Sequence, residues 1–166
     1  MGAYRLGLPF WHPAVALATW FGVGLLPVAP GSWASLAVLP LAWAIRSIFG
    51  AIGLGIGAGV VFVVGWWAAA TVARTSAAKD PPAIVIDEVT AQWLVLFAAP
   101  RGPLAWALAF LLFRIFDIWK PWPVRWADRR IGGGLGIMLD DLLAAVYAVL
   151  VLLILSAAGG VFGVRR

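Results

Sequence analysis

The run Ile86-Asp87-Glu88-Val89-Thr90-Ala91-Gln92 sets two carboxylates side by side. On a helix Glu88 and Gln92 share a face, with Asp87 about 100° round from Glu88. A second acidic pair, Asp140-Asp141, stands where the last apolar run begins. Carboxylate oxygens suit a hard cation such as Mg²⁺, which takes one or two from protein and fills the rest of its shell with water or substrate phosphate oxygens. Asp87, Glu88, Asp140 and Asp141 are therefore candidate metal ligands. Acids in a first helical turn are also favoured by the helix dipole, and glycines followed by Asp and an apolar run form a routine helix start. Spacing alone leaves both readings open.

Phe113-Arg114-Ile115-Phe116-Asp117-Ile118-Trp119-Lys120 lines up Arg114, Asp117 and Lys120 on one helix face before Pro121 and Pro123 end it. Arg114 offers a planar fork and Lys120 a compact charge for phosphoryl oxygens, with Asp117 placed to hold metal or orient Arg114. The same spacing fits an Arg–Asp pair plus a snorkelling Lys at a membrane interface, with Trp119, Trp122 and Trp126 as an aromatic belt. Pro30-Gly31-Ser32 delivers a hydroxyl to a helix start whose unpaired N–H groups attract anions, and is equally an ordinary turn. The glycines from Gly132 to Gly136 could let backbone approach a phosphate, but they match neither a Walker loop nor a dinucleotide fingerprint. His12, between Trp11 and Pro13, reads as an interfacial side chain.

What is missing narrows the chemistry. The chain has no cysteine and a single histidine, which removes disulfides, thiolate nucleophiles and paired-histidine metal sites. No acids show the short spacing of aspartyl-phosphate enzymes. Of 166 residues 64% are hydrophobic and 11% charged, and the mean hydropathy of +1.01 lies far outside the soluble range. The net charge of +5 therefore reads as membrane sidedness or headgroup attraction rather than as nucleic-acid binding.

The elements that must position these residues follow from the order of charges. Between Arg5 and Arg46 no side chain is ionised, and Ser47 to Ala73 is again charge-free. Prolines divide the first stretch into a short helix near Ala14 to Leu26, too short to cross a bilayer and so interfacial or re-entrant, and a helix from about Ser32 to Ser47. Ile52 to Thr71 is the clearest transmembrane segment, and no signal-peptide pattern precedes it. Ile84 to Ala99 and Pro103 to Trp119 read as two shorter helices joined by Pro100-Arg-Gly-Pro103. Trp119 to Ile137 reads as a surface loop with one helical turn, and Leu142 to Val164 as a final span. The expected architecture is an all-α, polytopic membrane bundle of about four spans with short re-entrant or interfacial helices, in one domain over residues 1–166. The positive-inside tendency assigns Arg74, Lys79, Lys120, Arg125, Arg129 and Arg130 to the cytoplasm, with the Pro27 to Ser32 loop on the same side and Arg165-Arg166 on the other.

Four blocks, Gly24 to Ser32, Ile86 to Trp93, Phe113 to Arg125 and Gly133 to Asp141, resemble in order and spacing the phosphatidylglycerophosphatase A family of bacteria. The resemblance runs from about Phe21 to Ala148. Ser32 and Ala34 replace a Thr and a Gly of the family pattern, and Ser32 keeps the hydroxyl. The resemblance implies a Mg²⁺-dependent α-helical phosphatase of the bacterial inner membrane that converts phosphatidylglycerophosphate to phosphatidylglycerol and phosphate, working on the cytoplasmic face. It carries active-site roles onto Asp87, Glu88, Arg114, Asp117, Lys120, Asp140 and Asp141. Within that set the expected metal ligands are Asp87 and Asp141 first, then Glu88 and Asp140. Glu88 doubles as base, Asp117 and Asp140 assist, and Arg114 and Lys120, with Gly31, Ser32 and Arg125, bind phosphate. Direct attack by water and an aspartyl-phosphate intermediate both fit. The rival reading is a small cation-coupled transporter or channel, whose intramembrane acids would lie nearer the bilayer midplane.

Overall fold

The computed structural model describes residues 6–78 and 80–158, so Arg5, Lys79 and the Arg165-Arg166 end fall outside the described residues. Among the described residues seven α-helices follow one another: α1 (Pro13–Ala18), α2 (Pro30–Ala37), α3 (Leu39–Thr75), α4 (Ile86–Ala98), α5 (Pro103–Trp119), α6 (Val124–Arg130) and α7 (Gly133–Ala157), with a 3₁₀ turn at Val23–Leu25. No strand occurs among the described residues, in agreement with the all-α expectation.

Prolines set several of the starts. Pro13, Pro30 and Pro103 occupy first-turn positions, where the missing N–H costs nothing. The expected gap between Ser47 and Ile52 is a break inside α3, where Gly50 takes a left-handed φ of 72°. Beyond it residues 51–75 form 25 residues of uninterrupted helix, about 38 Å long. The first expected helix is shorter than its sequence suggests, ending at Ala18 where Trp20, Phe21 and Gly22 turn left-handed.

The larger difference lies at α7. The glycine run that reads as loop is helical from Gly133, so Asp140 and Asp141 sit two turns inside the helix and are not its starting acids. The reason is packing: a Cβ at Gly134 would overlap the backbone of Ala70 on α3, so glycine lets the two helices touch. Gly65 of α3 likewise abuts Ile86 and Met138. Replacing Gly134 by Val is expected to destabilise the protein by about 1–3 kcal/mol, the usual cost of overpacking, read as a lower unfolding midpoint in detergent.

α4 is buried on most sides, with Val89, Thr90, Ala91, Gln92, Trp93, Val95 and Leu96 all in the core, and it packs against α3 and α7. α7 also contacts α5 and α6. The outside is the reverse of a soluble protein's. Ile52, Ile56, Val60, Val63 and Trp67 form an exposed stripe along α3, matched by Leu111, Ile115 and Ile118 on α5 and Leu150, Leu153 and Ile154 on α7. α3 and α7 are long and apolar enough to cross a membrane. An apolar exterior of this extent matches hydrocarbon rather than water.

Chain direction decides where the acids go. α4 descends from the end where α3 finishes, α5 returns to that end, and α7 leaves it again. The C-termini of α3 and α5 therefore meet the N-termini of α4 and α7.

Candidate active site

Asp87 and Glu88 occupy the second and third positions of α4, whose start is tied to α1 by the Val85 N–H donating to Ala18 O at 2.8 Å. Neither caps its helix. α7 brings a third carboxylate: one oxygen each of Asp87, Glu88 and Asp141 lie within 4.8 Å of one another. Asp87 Oδ1, Glu88 Oε2 and Asp141 Oδ2 are buried and accept no hydrogen bond. Acids clustered this way without donors repel one another and lose hydration, a cost that a bound cation removes. The donor set is all oxygen, from two helices, and suits a hard ion such as Mg²⁺.

Arg114 reaches the cluster from α5, with Nη1 3.0 Å from Asp117 Oδ2 and 3.9 Å from Glu88 Oε1. The ion pair is close but poorly aligned, since Nη1 and Nε both lack a hydrogen-bond acceptor. Donor capacity is thus left over beside the acids. Asp117 fixes Arg114, as its i,i+3 spacing suggests.

Gly31 closes another side. A Cβ there would collide with Glu88 Oε1, so only glycine lets α2 approach this carboxylate. Gly31 and Ser32 lie in the first turn of α2, where backbone N–H groups have no partner within the helix. Gly31→Ala is expected to push the Glu88 side chain aside and lower activity by about 10–100-fold, as misplacing a ligand does, with the unfolding midpoint little changed.

Lys120 ends α5 in a left-handed conformation, φ 47°, which turns its side chain toward α6 and α7. Its Nζ donates to Asp140 Oδ2 at 2.6 Å and to Asp128 Oδ1 at 2.8 Å. Burial works to strip its proton, but hydrogen bonds and charge from Asp128 and Asp140 outweigh that and raise the lysine above its ordinary range. Lys120 is therefore a fixed cation. Asp140, also expected among the metal ligands, gives its Oδ2 to this lysine and keeps Oδ1 buried without a partner, while Asp141 beside it joins the acid cluster.

Arg125 lies apart from the acids. It is exposed on α6, donates to Trp119 O at 3.3 Å, and lines a groove with Lys120, Trp122, Trp126, Arg129 and Arg130. Sequence reasoning marks Asp128 as a candidate acid in the basic loop but gives it no role, because that role depends on Lys120, and it passes over Asp80, which borders a cavity of about 320 Å³ with Asp128 and Asp140. It also passed over Gln92 as more than a neighbour of Glu88: the amide is fully buried with neither polar atom hydrogen-bonded.

All seven acids thus gather at one end of the bundle. A family model described as Phosphatidylglycerophosphatase A matches residues 16–156. The chain belongs to the phosphatidylglycerophosphatase A family.

Two relatives carry that family's name. One from Escherichia coli strain K12 is 38% identical over 146 residues, covering 83% of this chain and 78% of the relative. One from Haemophilus influenzae is 40% identical over 141 residues, covering 84% and 86%. A third relative, from Bacteroides thetaiotaomicron, bears the name "Putative phosphatidylinositol-3-phosphatase" and is 37% identical over 142 residues, covering 81% and 87%. No solved structure matches the chain. Membership of the phosphatidylglycerophosphatase A family makes the protein a phosphatase, and the blocks named from the sequence fall within the matched residues.

Proposed function

We propose that this protein hydrolyses the terminal phosphomonoester of phosphatidylglycerophosphate, with Mg²⁺, at the cytoplasmic face of a bacterial inner membrane. One observation carries the reading: Asp87, Glu88 and Asp141 converge with unpartnered oxygens beside an Arg114 that has donors to spare. The family and two relatives' names supply the lipid. In this proposal residues 51–75, α4, α5 and α7 all cross the membrane, although α4 at 13 residues spans only about 20 Å and needs a locally thin or shielded crossing. The basic groove holding Arg125, Arg129 and Arg130 then faces the cytoplasm and attracts anionic headgroups.

Asp87, Glu88 and Asp141 would hold the ion. Bound there, Mg²⁺ supplies Lewis acidity toward the phosphoryl oxygens. Arg114 neutralises those oxygens through its fork, and the N–H groups of Gly31 and Ser32 add backbone donors. Lys120, held protonated by Asp128 and Asp140, is a poor proton donor and serves as a positive clamp. Glu88, between Gly31 and Arg114, accepts the proton of the attacking water as the P–O ester bond breaks. The glycerol alkoxide leaves and takes a proton from solvent water, and Glu88 returns its proton to solvent, giving phosphatidylglycerol and inorganic phosphate. A phosphate dianion with charge spread over its oxygens needs this cationic surround more than a covalent nucleophile.

The third relative's name favours a second substrate, an inositol lipid phosphorylated at its ring. Phosphate release from both lipids in mixed micelles decides between them. Release from phosphatidylglycerophosphate in Mg²⁺ and none in EDTA is expected, at a rate at least about tenfold above that from phosphatidylinositol 3-phosphate, a difference of about 1.4 kcal/mol. Faster release from the inositol lipid would transfer the assignment to it.

A further inference from the structure

The end of the bundle away from the acids holds a cavity that hydrolysis does not use. Arg46 of α3 is 9% exposed, and its Nη1 donates to Ala99 O at 2.8 Å and to Leu96 O. These are carbonyls at the C-terminus of α4, the helix whose first turn carries Asp87 and Glu88. Arg46 therefore lies about 16 Å along α4 from the acids. Beside it is a cavity of about 360 Å³ lined by Trp43, Arg46, Ser47, Arg101, Gly102 and Trp106.

The polar side chains facing this cavity are mostly donors. Arg46 Nε and the Trp106 indole Nε1 are both buried with no acceptor. Arg101, exposed in the α4–α5 connection, adds a second guanidinium. α5 begins here behind Gly102, so the unpaired N–H groups of its first turn lie at the same end. No acid offsets the two guanidinium groups, because all seven lie at the opposite end. Buried donors without acceptors and like charges without a counter-ion are both costly, and one anion relieves both. The cavity also has apolar surroundings: Trp43 is 65% exposed, and Ile48 and Phe49 on the next turn are exposed as well. Indole, guanidinium and exposed aliphatic groups together suit the boundary between headgroups and acyl chains.

We propose that this cavity binds the phosphate oxyanion of an anionic phospholipid in the leaflet opposite the active centre. Arg101 contacts the oxyanion, which also draws on the unsatisfied donors of Arg46 and Trp106 in the cavity wall, and Trp43 with its exposed neighbours flanks the acyl chains. The site shares with the proposed function only the membrane-spanning placement.

Native mass spectrometry of the full-length protein released from detergent counts bound lipid after incubation with dioleoyl phosphatidylglycerol or dioleoyl phosphatidylcholine, each with and without millimolar inorganic phosphate. The variants are Arg101→Gln, on an exposed connection, and Trp106→Phe, which keeps the ring and removes the donor; Arg46 is left intact because it holds the end of α4. Wild type is expected to retain phosphatidylglycerol about fivefold more than either variant and more than it retains phosphatidylcholine, with phosphate not displacing it. Both variants are expected to hydrolyse substrate at the wild-type rate, so a failure here is distinguishable from a failure of the proposed function. Equal retention of phosphatidylglycerol by all three proteins, or equal retention of the two lipids, would overturn the proposal. Displacement by inorganic phosphate would show a free-anion site and overturn the lipid assignment.

Discussion

Asp87→Asn is expected to lower phosphate release by about 10³-fold, equivalent to about 4 kcal/mol of transition-state stabilisation. The substitution preserves shape and removes one negative charge from a cluster whose oxygens lie within 4.8 Å of one another. Asp87 Oδ1 is buried without a partner, so that oxygen adds nothing to folding through hydrogen bonds. Losing its charge relieves repulsion from Glu88 and Asp141 when no metal is bound. The variant is therefore expected to unfold in EDTA at the same temperature as wild type or a higher one, while its activity collapses in Mg²⁺. A structural acid would behave in the opposite way, with stability falling and the residual folded fraction remaining active.

Arg114→Lys is expected to cost about 10²-fold in kcat, the usual size for removing one preorganised donor to a developing negative charge. Lysine keeps the charge, but its compact ammonium lacks the planar fork that can hold Asp117 on one edge and phosphoryl oxygens on another. Arg114→Ala is expected to be worse, because Asp117 and Glu88 would lose the cation that stands 3.0 and 3.9 Å from them. Kinetics in mixed micelles check both. A lysine variant with wild-type kcat would reduce Arg114 to a simple counter-ion of Asp117.

Much of this site is legible in the sequence because charge is so scarce. With 11% charged residues, Asp87-Glu88 and Asp140-Asp141 stand out from the apolar runs around them, and Arg114 and Asp117 disclose their pairing through helical spacing. Other features have no local pattern. Lys120 meets Asp140 from 20 residues away, across the segment that holds α6, and nothing in either partner's own segment marks the pair. The contact between Gly31 and Glu88 joins α2 to α4, and a Pro-Gly-Ser turn looks the same whether its glycine supports a carboxylate or only bends the chain.

The start of α7 misleads for a physical reason. Glycine costs about 1 kcal/mol per residue in a helix relative to alanine, so four glycines in five residues read as loop. Packing against Ala70 reverses that preference, since the missing side chain at Gly134 is what allows α3 and α7 to touch. The extra turns carry Asp140 and Asp141 from an apparent helix start to the helix interior, where one faces Lys120 and the other the acid cluster.

Binding of Mn²⁺, a paramagnetic substitute for Mg²⁺, to the full-length protein in detergent tests most directly whether Asp87, Glu88 and Asp141 form a metal centre. The free-ion electron paramagnetic resonance signal is followed during titration of wild type and Asp141→Asn. Wild type is expected to bind Mn²⁺ and release it to excess Mg²⁺, with affinity at least about tenfold weaker in the variant, a loss of about 1.4 kcal/mol. Equal binding by the two proteins, or no specific binding by wild type, would contradict a metal centre built on these three carboxylates.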